Sequence, residues 1–315
     1  MKRLFAAIFI ALIFTAALPA GGQKAKTTAG NTGAVNVVTT VFPSYDFVRA
    51  IAGDKVNLSL LLPPGAESHS FEPTPQDIIR IQNSALFIYV GGESEEWVDR
   101  ILDSLDTGGI KILSLMDTVE VVEEEIVEGM EEEEEEEEGI AYDEHVWTSP
   151  KNAARIVQAI TDALREIDGA NADLYRRNAA GYLAALDELD GEFRAVVNNA
   201  KRKTLVFGDR FPFRYFADAY GLSYFAAFPG CSTETECSAA TVAFLIDKVR
   251  SEKIPVIFHI ELSNEKIADA IAEETGAKKL LFHACHNISK RDFDNGLTYL
   301  QLQKGNVGRL REALR

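Results

Sequence analysis

The sequence predicts an α/β protein of two lobes, each a parallel sheet dressed with helices, joined by one long helix. Three observations predict it. Short β-branched or aromatic runs are each followed by a turn and a helical pattern, as in parallel α/β units. One amphipathic stretch near the middle, about 171–200, outruns most globular helices. The chain beyond its N-terminal segment, roughly 290 residues, is too long for one compact domain of ordinary size.

The N-terminus comes first. Lys2 and Arg3 precede an uncharged run over 4–20, which ends in small residues at Ala20, Gly21 and Gly22. A charged start, an apolar run and a small-residue cleavage zone are the anatomy of a secretory signal. The run falls slightly short of the roughly 20 apolar residues a bilayer span needs. Residues 1–22 are therefore assigned to a signal peptide and 23–34, small and polar, to a flexible tether. An exported protein is expected, periplasmic or on the outer face of the cytoplasmic membrane. Gly21 and Gly22 stand where a lipid-anchored protein would carry a cysteine, so no such anchor is expected.

The strand signals are 35–42 (VNVVTTVF), 86–90 (LFIYV), 204–207 (TLVF), 256–260 (VIFHI) and 279–283 (KLLFH). Thr74 before Pro75 opens one helix and Ser149 before Pro150 another, a capping residue followed by proline in the first turn. Leu174, Leu183, Leu186, Leu189, Phe193, Val196 and Val197 recur at near-helical spacing along the long stretch. At ~1.5 Å per residue it runs about 45 Å. The layout is a first lobe over 35–168, a linking helix over 169–202 and a second lobe over 203–315. A rigid connector between two lobes leaves a cleft between them.

The net charge of −17 is local. Residues 120–138 hold Glu120, Glu123, Glu124, Glu125, Glu128 and the eight glutamates 131–138, with no base; setting these aside leaves −4. Consecutive glutamates repel and cannot pack, so a disordered acidic loop is expected over 120–139. Nothing resembles a basic nucleic-acid footprint. Cys231, Cys237 and Cys285 lie in a chain expected to be exported, where oxidation is permitted. A bridge from Cys285 to either Cys231 or Cys237 is expected.

The chemistry-bearing residues gather on predicted loops. In open α/β sheets ligands bind outside the carboxyl ends of strands. His283 ends one strand run, Asp209 lies two residues past another and Glu261 just past a third. His69 lies in the loop GAESHSFEPTP, and His145 precedes the helix start at Ser149. That convergence points to a histidine-rich metal site, since imidazole is the commonest zinc ligand and carboxylate closes such sites. Each residue also has a plainer reading. His259 lies within an apolar strand and is read as structural. His286 is either a ligand or a donor to a loop carbonyl, Glu261 a ligand or an acceptor for loop amides, Asp209 a ligand or a partner for Arg210. Trp147 and FPFRYF (211–216) are read as core and cleft wall. Neither an HExxH helix, a GxSxG elbow nor a P-loop is present. A secreted zinc hydrolase with Glu67 or Glu261 as base stays the alternative, with a metal-stabilised adhesin as a third reading.

At these residues the chain resembles the zinc- and manganese-binding solute-binding proteins of ABC importers, the zinc-uptake branch above all. The carrying segments are VVTTVFPSYDFVRAIAG, LLPPGAESHSFEPTPQDI, YVGGESEEWVDRIL, YDEHVWTSPKNAARI and GLTYLQLQKGNVGRLREAL. The resemblance implies two (β/α)4-like lobes with metal in the interlobe cleft, and a monomer that delivers a divalent cation to a permease and its ATPase. It implies His69 and His145 as ligands and puts His283 where the family has an acid. It puts Gly208, which cannot ligate, where the family has a further ligand. The expected set is His69, His145 and His283, with His286, Asp209, Glu261 or water completing it. Three imidazoles favour Zn2+ over Mn2+.

Overall fold

A computed structural model describes residues 33–67, 70–130, 141–232 and 237–315. The expected signal peptide and nearly all of the tether, His69 and the glutamates 131–138 lie outside the described residues.

Parallel α/β units appear in both halves. The first sheet has the order β2-β1-β3-β4, from β1 (Val35–Thr39), β2 (Val56–Leu60), β3 (Leu86–Tyr89) and β4 (Lys111–Ser114). The second has the order β6-β5-β7-β8, from β5 (Thr204–Arg210), β6 (Ser223–Phe228), β7 (Val256–His259) and β8 (Lys278–Leu281). Every pairing is parallel. The expected run 35–42 splits, because α1 (Phe42–Ala52) starts on Pro43 in its first turn, where a fixed φ suits a helix.

Helix starts follow local chemistry. Thr74 caps α2 (Pro75–Gln82), its hydroxyl accepting from the Asp77 amide while Asp77 accepts from the Thr74 amide at 2.9 Å. Ser149 and Pro150 open α4 (Pro150–Ile167). The linking helix is α5 (Ala172–Asn198), 27 residues or about 40 Å. It packs on α1, α4 and α10 (Tyr299–Ala313), burying Tyr175, Leu186, Leu189, Phe193, Val196 and Val197. Among the described residues no helix is long and apolar enough to cross a membrane.

Asn31–Arg315 forms one compact unit, so the two sheets share a continuous core. Part of it is aromatic. Phe207, Phe213, Phe216, Phe258 and Phe282 meet edge-to-face or tilted at centroid separations of 4.9 to 6.4 Å, the range at which ring pairs add to area burial. FPFRYF is thus core, as expected, and Trp147 is wholly buried.

Two expectations are corrected. Residues 120–130 are placed, because individual glutamates here meet donors from the second half. Glu124 accepts from the Cys231 amide at 2.8 Å, Glu125 from the Tyr224 hydroxyl at 3.0 Å, and Glu128 pairs with Lys248 at 3.0 Å. Val119, Val122 and Val127 pack against the core, and Met130 is buried. The cysteines are also unbridged. Cys285 is buried, with Gln303 Nε2 at 3.4 Å from its sulfur, and burial pushes its thiol well above the ordinary range.

α10 is tied back to α1 by a buried carboxylate. Asp46 accepts from the Tyr299 amide at 2.7 Å and from Arg49 Nε at 3.0 Å. Asp46→Ala removes charged hydrogen bonds, each worth about 1.5–3 kcal/mol. It is expected to lower unfolding free energy by about that amount in a denaturant titration; an unchanged midpoint would deny Asp46 this role.

Candidate metal centre

His145 is placed by the short turn before α4. Its carbonyl accepts from the Thr148 hydroxyl at 2.8 Å, and its amide donates to Asp143 Oδ1 at 2.7 Å. The same carboxylate oxygen lies 3.2 Å from the His145 ring Nδ1. A carboxylate already accepting from an amide calls for N–H on Nδ1, which puts the ring lone pair on Nε2. This is how metal-binding imidazoles are commonly oriented. His145 is fully buried. Burial alone lowers its pKa, but Asp143, Glu144 and Glu124 outweigh that and hold it above the ordinary 6.5.

Segment 143–147 is fastened to both halves. The Tyr215 hydroxyl donates to the Asp143 carbonyl at 2.7 Å, Trp147 Nε1 to the Ala284 carbonyl at 2.8 Å and the Tyr299 hydroxyl to the Trp147 carbonyl at 2.6 Å. Glu144 accepts from the Ser94 amide at 2.7 Å. Gly92 is needed beside it, since a Cβ there would fall 2.5 Å from Glu144 Oε1.

From the second sheet, the loop after β8 brings His286 to His145. Their ring centroids are 5.1 Å apart at 85°, and Trp147 stands 5.0 Å from His286. Glu261, just past β7, shapes this loop by accepting from the Ala284 amide at 2.7 Å and the His286 amide at 2.9 Å. The loop-amide reading of Glu261 therefore holds. Asp209 behaves likewise, accepting from the Arg210 amide at 2.9 Å and the Ile260 amide at 3.1 Å. His259 bonds the Ile260 carbonyl at 3.1 Å, as a structural histidine.

Between the halves lies a cavity of about 30 Å3 walled by Glu67, His145, Arg210, Glu261 and His286, among others. Organic solutes need roughly 300 Å3 or more. This space admits an ion with a water. His283 lies elsewhere. It is buried in a separate cavity of about 400 Å3 with His259, Glu265, Gln301 and Arg309. Its Nδ1 accepts from the Cys285 amide at 2.9 Å, and burial holds its pKa below the ordinary value. Of the four candidate histidines, the structure brings His145 and His286 together, not His283, and His69 is outside the described residues. Among the described residues no group of three or more His, Cys, Asp or Glu is disposed to hold a metal.

Arg210 is the site residue that sequence reasoning missed. β5 continues past Phe207 with a register irregularity between Phe207 and Arg210. A bulge re-aims the side chains beyond it. Gly208 turns onto α8 (Lys266–Thr275), where a Cβ would meet Ala268 Cα at 2.5 Å. Arg210 faces the cavity instead, its Nη1 3.2 Å and Nη2 3.3 Å from the Glu67 carboxylate oxygens.

Comparison with known proteins places this geometry in context. Residues 37–313 match the family described as zinc-uptake complex component A, periplasmic. The chain is 34% identical over 307 residues to the high-affinity zinc uptake system protein ZnuA of Bacillus subtilis, covering 97% of this chain and 96% of that protein. It is 31% identical over 283 residues to the zinc-binding lipoprotein AdcA of Streptococcus pneumoniae, covering 89% of this chain but only 56% of that one. The crystal structure of the Zn(II)-bound ZnuA-like domain of the same AdcA superposes with a TM-score of 0.75 at 29% identity, over 90% of this chain and 99% of that domain.

Placing an imidazole at Gly208 would not complete the cavity. Gly208→His is expected to overpack α8, costing about 1–3 kcal/mol in a thermal or denaturant melt without tightening zinc binding. Tighter zinc at unchanged stability would mean that Gly208 faces the cavity after all.

Proposed function

Because the chain belongs to the family of periplasmic zinc-uptake complex component A, we propose that it is the extracytoplasmic solute-binding component of a metal ABC importer. It takes Zn2+ into the cavity between its sheets and hands it to a membrane permease driven by an ATPase. The observation that carries this reading is the pairing of His145 and His286 across a void of about 30 Å3. Two imidazoles from opposite halves, facing a space of ionic size, suit capture of one cation and little else.

We assign the ligands to His69, His145 and His286, with water or a carboxylate completing a tetrahedron. His283 serves from behind: it stands 3.3 Å from Glu261, which in turn holds the His286 amide. Neutral imidazoles favour zinc over manganese, whose sites are richer in oxygen. The chemistry is binding and release, with no bond broken in the cargo. The protein acts as an exported monomer outside the cytoplasmic membrane.

Proton competition sets the pH dependence. A metal displaces the proton from a ligating imidazole, so affinity falls once pH drops to the ligand's pKa. His145 sits above the ordinary 6.5, so the loss should begin above that pH as the solution is acidified. Chelator-competition titrations between about pH 8 and pH 5.5 check this; an affinity flat down to about pH 6 would contradict it. Asp143→Asn should weaken zinc by roughly 10–100-fold through loss of ring orientation, and His145→Ala by more. Unchanged zinc titration of His145→Ala, with folding verified by circular dichroism, would sink the site assignment.

A further inference from the structure

The larger cavity, about 400 Å3 between α10 and the loops after β7 and β8, has a chemistry of its own. Ile260, Glu261 and Leu262 wall both it and the smaller cavity, but Arg309, His283 and Gly305 wall only the larger. Its size falls at the lower end of the range for small organic ligands, roughly 300–1,000 Å3. It also lies outside the carboxyl ends of β7 and β8, where open α/β sheets gather ligands.

Two donors on its wall are poorly met. Arg309 is half-buried, and among the described residues it forms no ion pair. Its one hydrogen bond, to Asn306 Oδ1, is long at 3.5 Å, and that oxygen already accepts from the His283 amide at 2.9 Å. Burial accordingly lowers the Arg309 pKa with no acid to offset it. His283 is 6% exposed, and its Nδ1 takes the Cys285 amide. A neutral ring that accepts at Nδ1 carries its proton on Nε2, and among the described residues this N–H meets no acceptor. Donors and charges so placed favour a ligand that brings acceptors.

The acids of the same wall do not supply them. Glu261 is taken up by two loop amides, Glu265 by Lys279 at 2.6 Å, and Asp292 by the Ser289 hydroxyl at 2.7 Å and Arg291 at 3.3 Å. Nor is the placing of Arg309 incidental. Its guanidinium folds along α10 over Gly305, where a Cβ would stand 2.6 Å from Nη1. Glycine inside a helix is unfavourable, and here its missing side chain is the space the guanidinium occupies. Around these donors the wall is aliphatic, with Leu281, Leu297 and Leu302.

We propose that this cavity binds a small organic carboxylate with an aliphatic body, the Arg309 fork and the His283 Nε2–H holding its oxygens and the leucines its chain. The planar fork of arginine matches a carboxylate. An aliphatic tail gains by burial against leucine, where a bare inorganic anion does not. Binding here needs no metal, so this site and the zinc site can fail separately.

The test titrates the metal-free full chain with hexanoate by calorimetry, with hexanamide as the uncharged match. Hexanoate should bind, and hexanamide at least about tenfold more weakly. Arg309→Gln should weaken hexanoate by about 10–100-fold, the loss of a charge-assisted bond. Gly305→Ala should weaken it about tenfold by displacing the guanidinium while leaving the helix at least as stable, which keeps the test decisive if Arg309→Gln fails to fold. Arg311→Gln, at an exposed position of the same helix, should change nothing. Hexanoate bound no better than hexanamide or inorganic phosphate, affinity kept in both Arg309→Gln and Gly305→Ala, or an equal loss in Arg311→Gln would each overturn the proposal.

Discussion

The cavity depends on one buried segment, residues 143–147, whose polar groups are fastened to helices and loops of both halves at once. Asp143 orients the His145 ring, Tyr215 takes hold of the Asp143 carbonyl, and Trp147 and Tyr299 close the far end. A buried polar group without such partners would cost about 1–3 kcal/mol. Pairing them with the opposite half therefore makes the position of His145 relative to His286 a property of the whole fold. An imidazole on a loose loop would have no fixed partner, and a cavity of ionic size would not persist.

The second half contributes strain as well as contacts. Leu262, Glu265 and Cys285 adopt φ of 61°, 58° and 65°, in the left-handed region that non-glycine residues avoid. All three lie in the loops after β7 and β8, where Glu261 gathers the amides that aim His286. Sparsely populated backbone of this kind persists only where surrounding structure over-determines it, and it collects at functional sites. The carboxylates follow the same logic. Each is engaged by amides, a ring or a guanidinium, so the wall of the cavity presents imidazole and a compensated ion pair rather than loose negative charge.

Much of this was legible in the sequence, for identifiable reasons. Thr74 before Pro75 and Ser149 before Pro150 mark helix starts because capping and a fixed φ are local effects, and α5 follows from its own apolar spacing. The strand order is not local, and neither is the bulge in β5 that exchanges Gly208 for Arg210 at the cavity. One extra residue in a strand changes which side chain faces the site, and nothing in FGDRF announces it. His283 lies apart from the His145 and His286 pair for a related reason: counting from a strand end cannot tell which side of Glu261 a loop imidazole will take. Glu124, Glu125 and Glu128 are likewise met by donors remote in sequence, which no local reading of the acidic stretch supplies.

The most direct test is an anomalous-scattering map at the zinc edge from crystals of the zinc-loaded chain. The account predicts one zinc per chain within about 2.0–2.1 Å of a ring nitrogen of both His145 and His286, with the Nδ1 of His145 still facing Asp143. A single zinc seated in the larger cavity against His283, with none between His145 and His286, would contradict it.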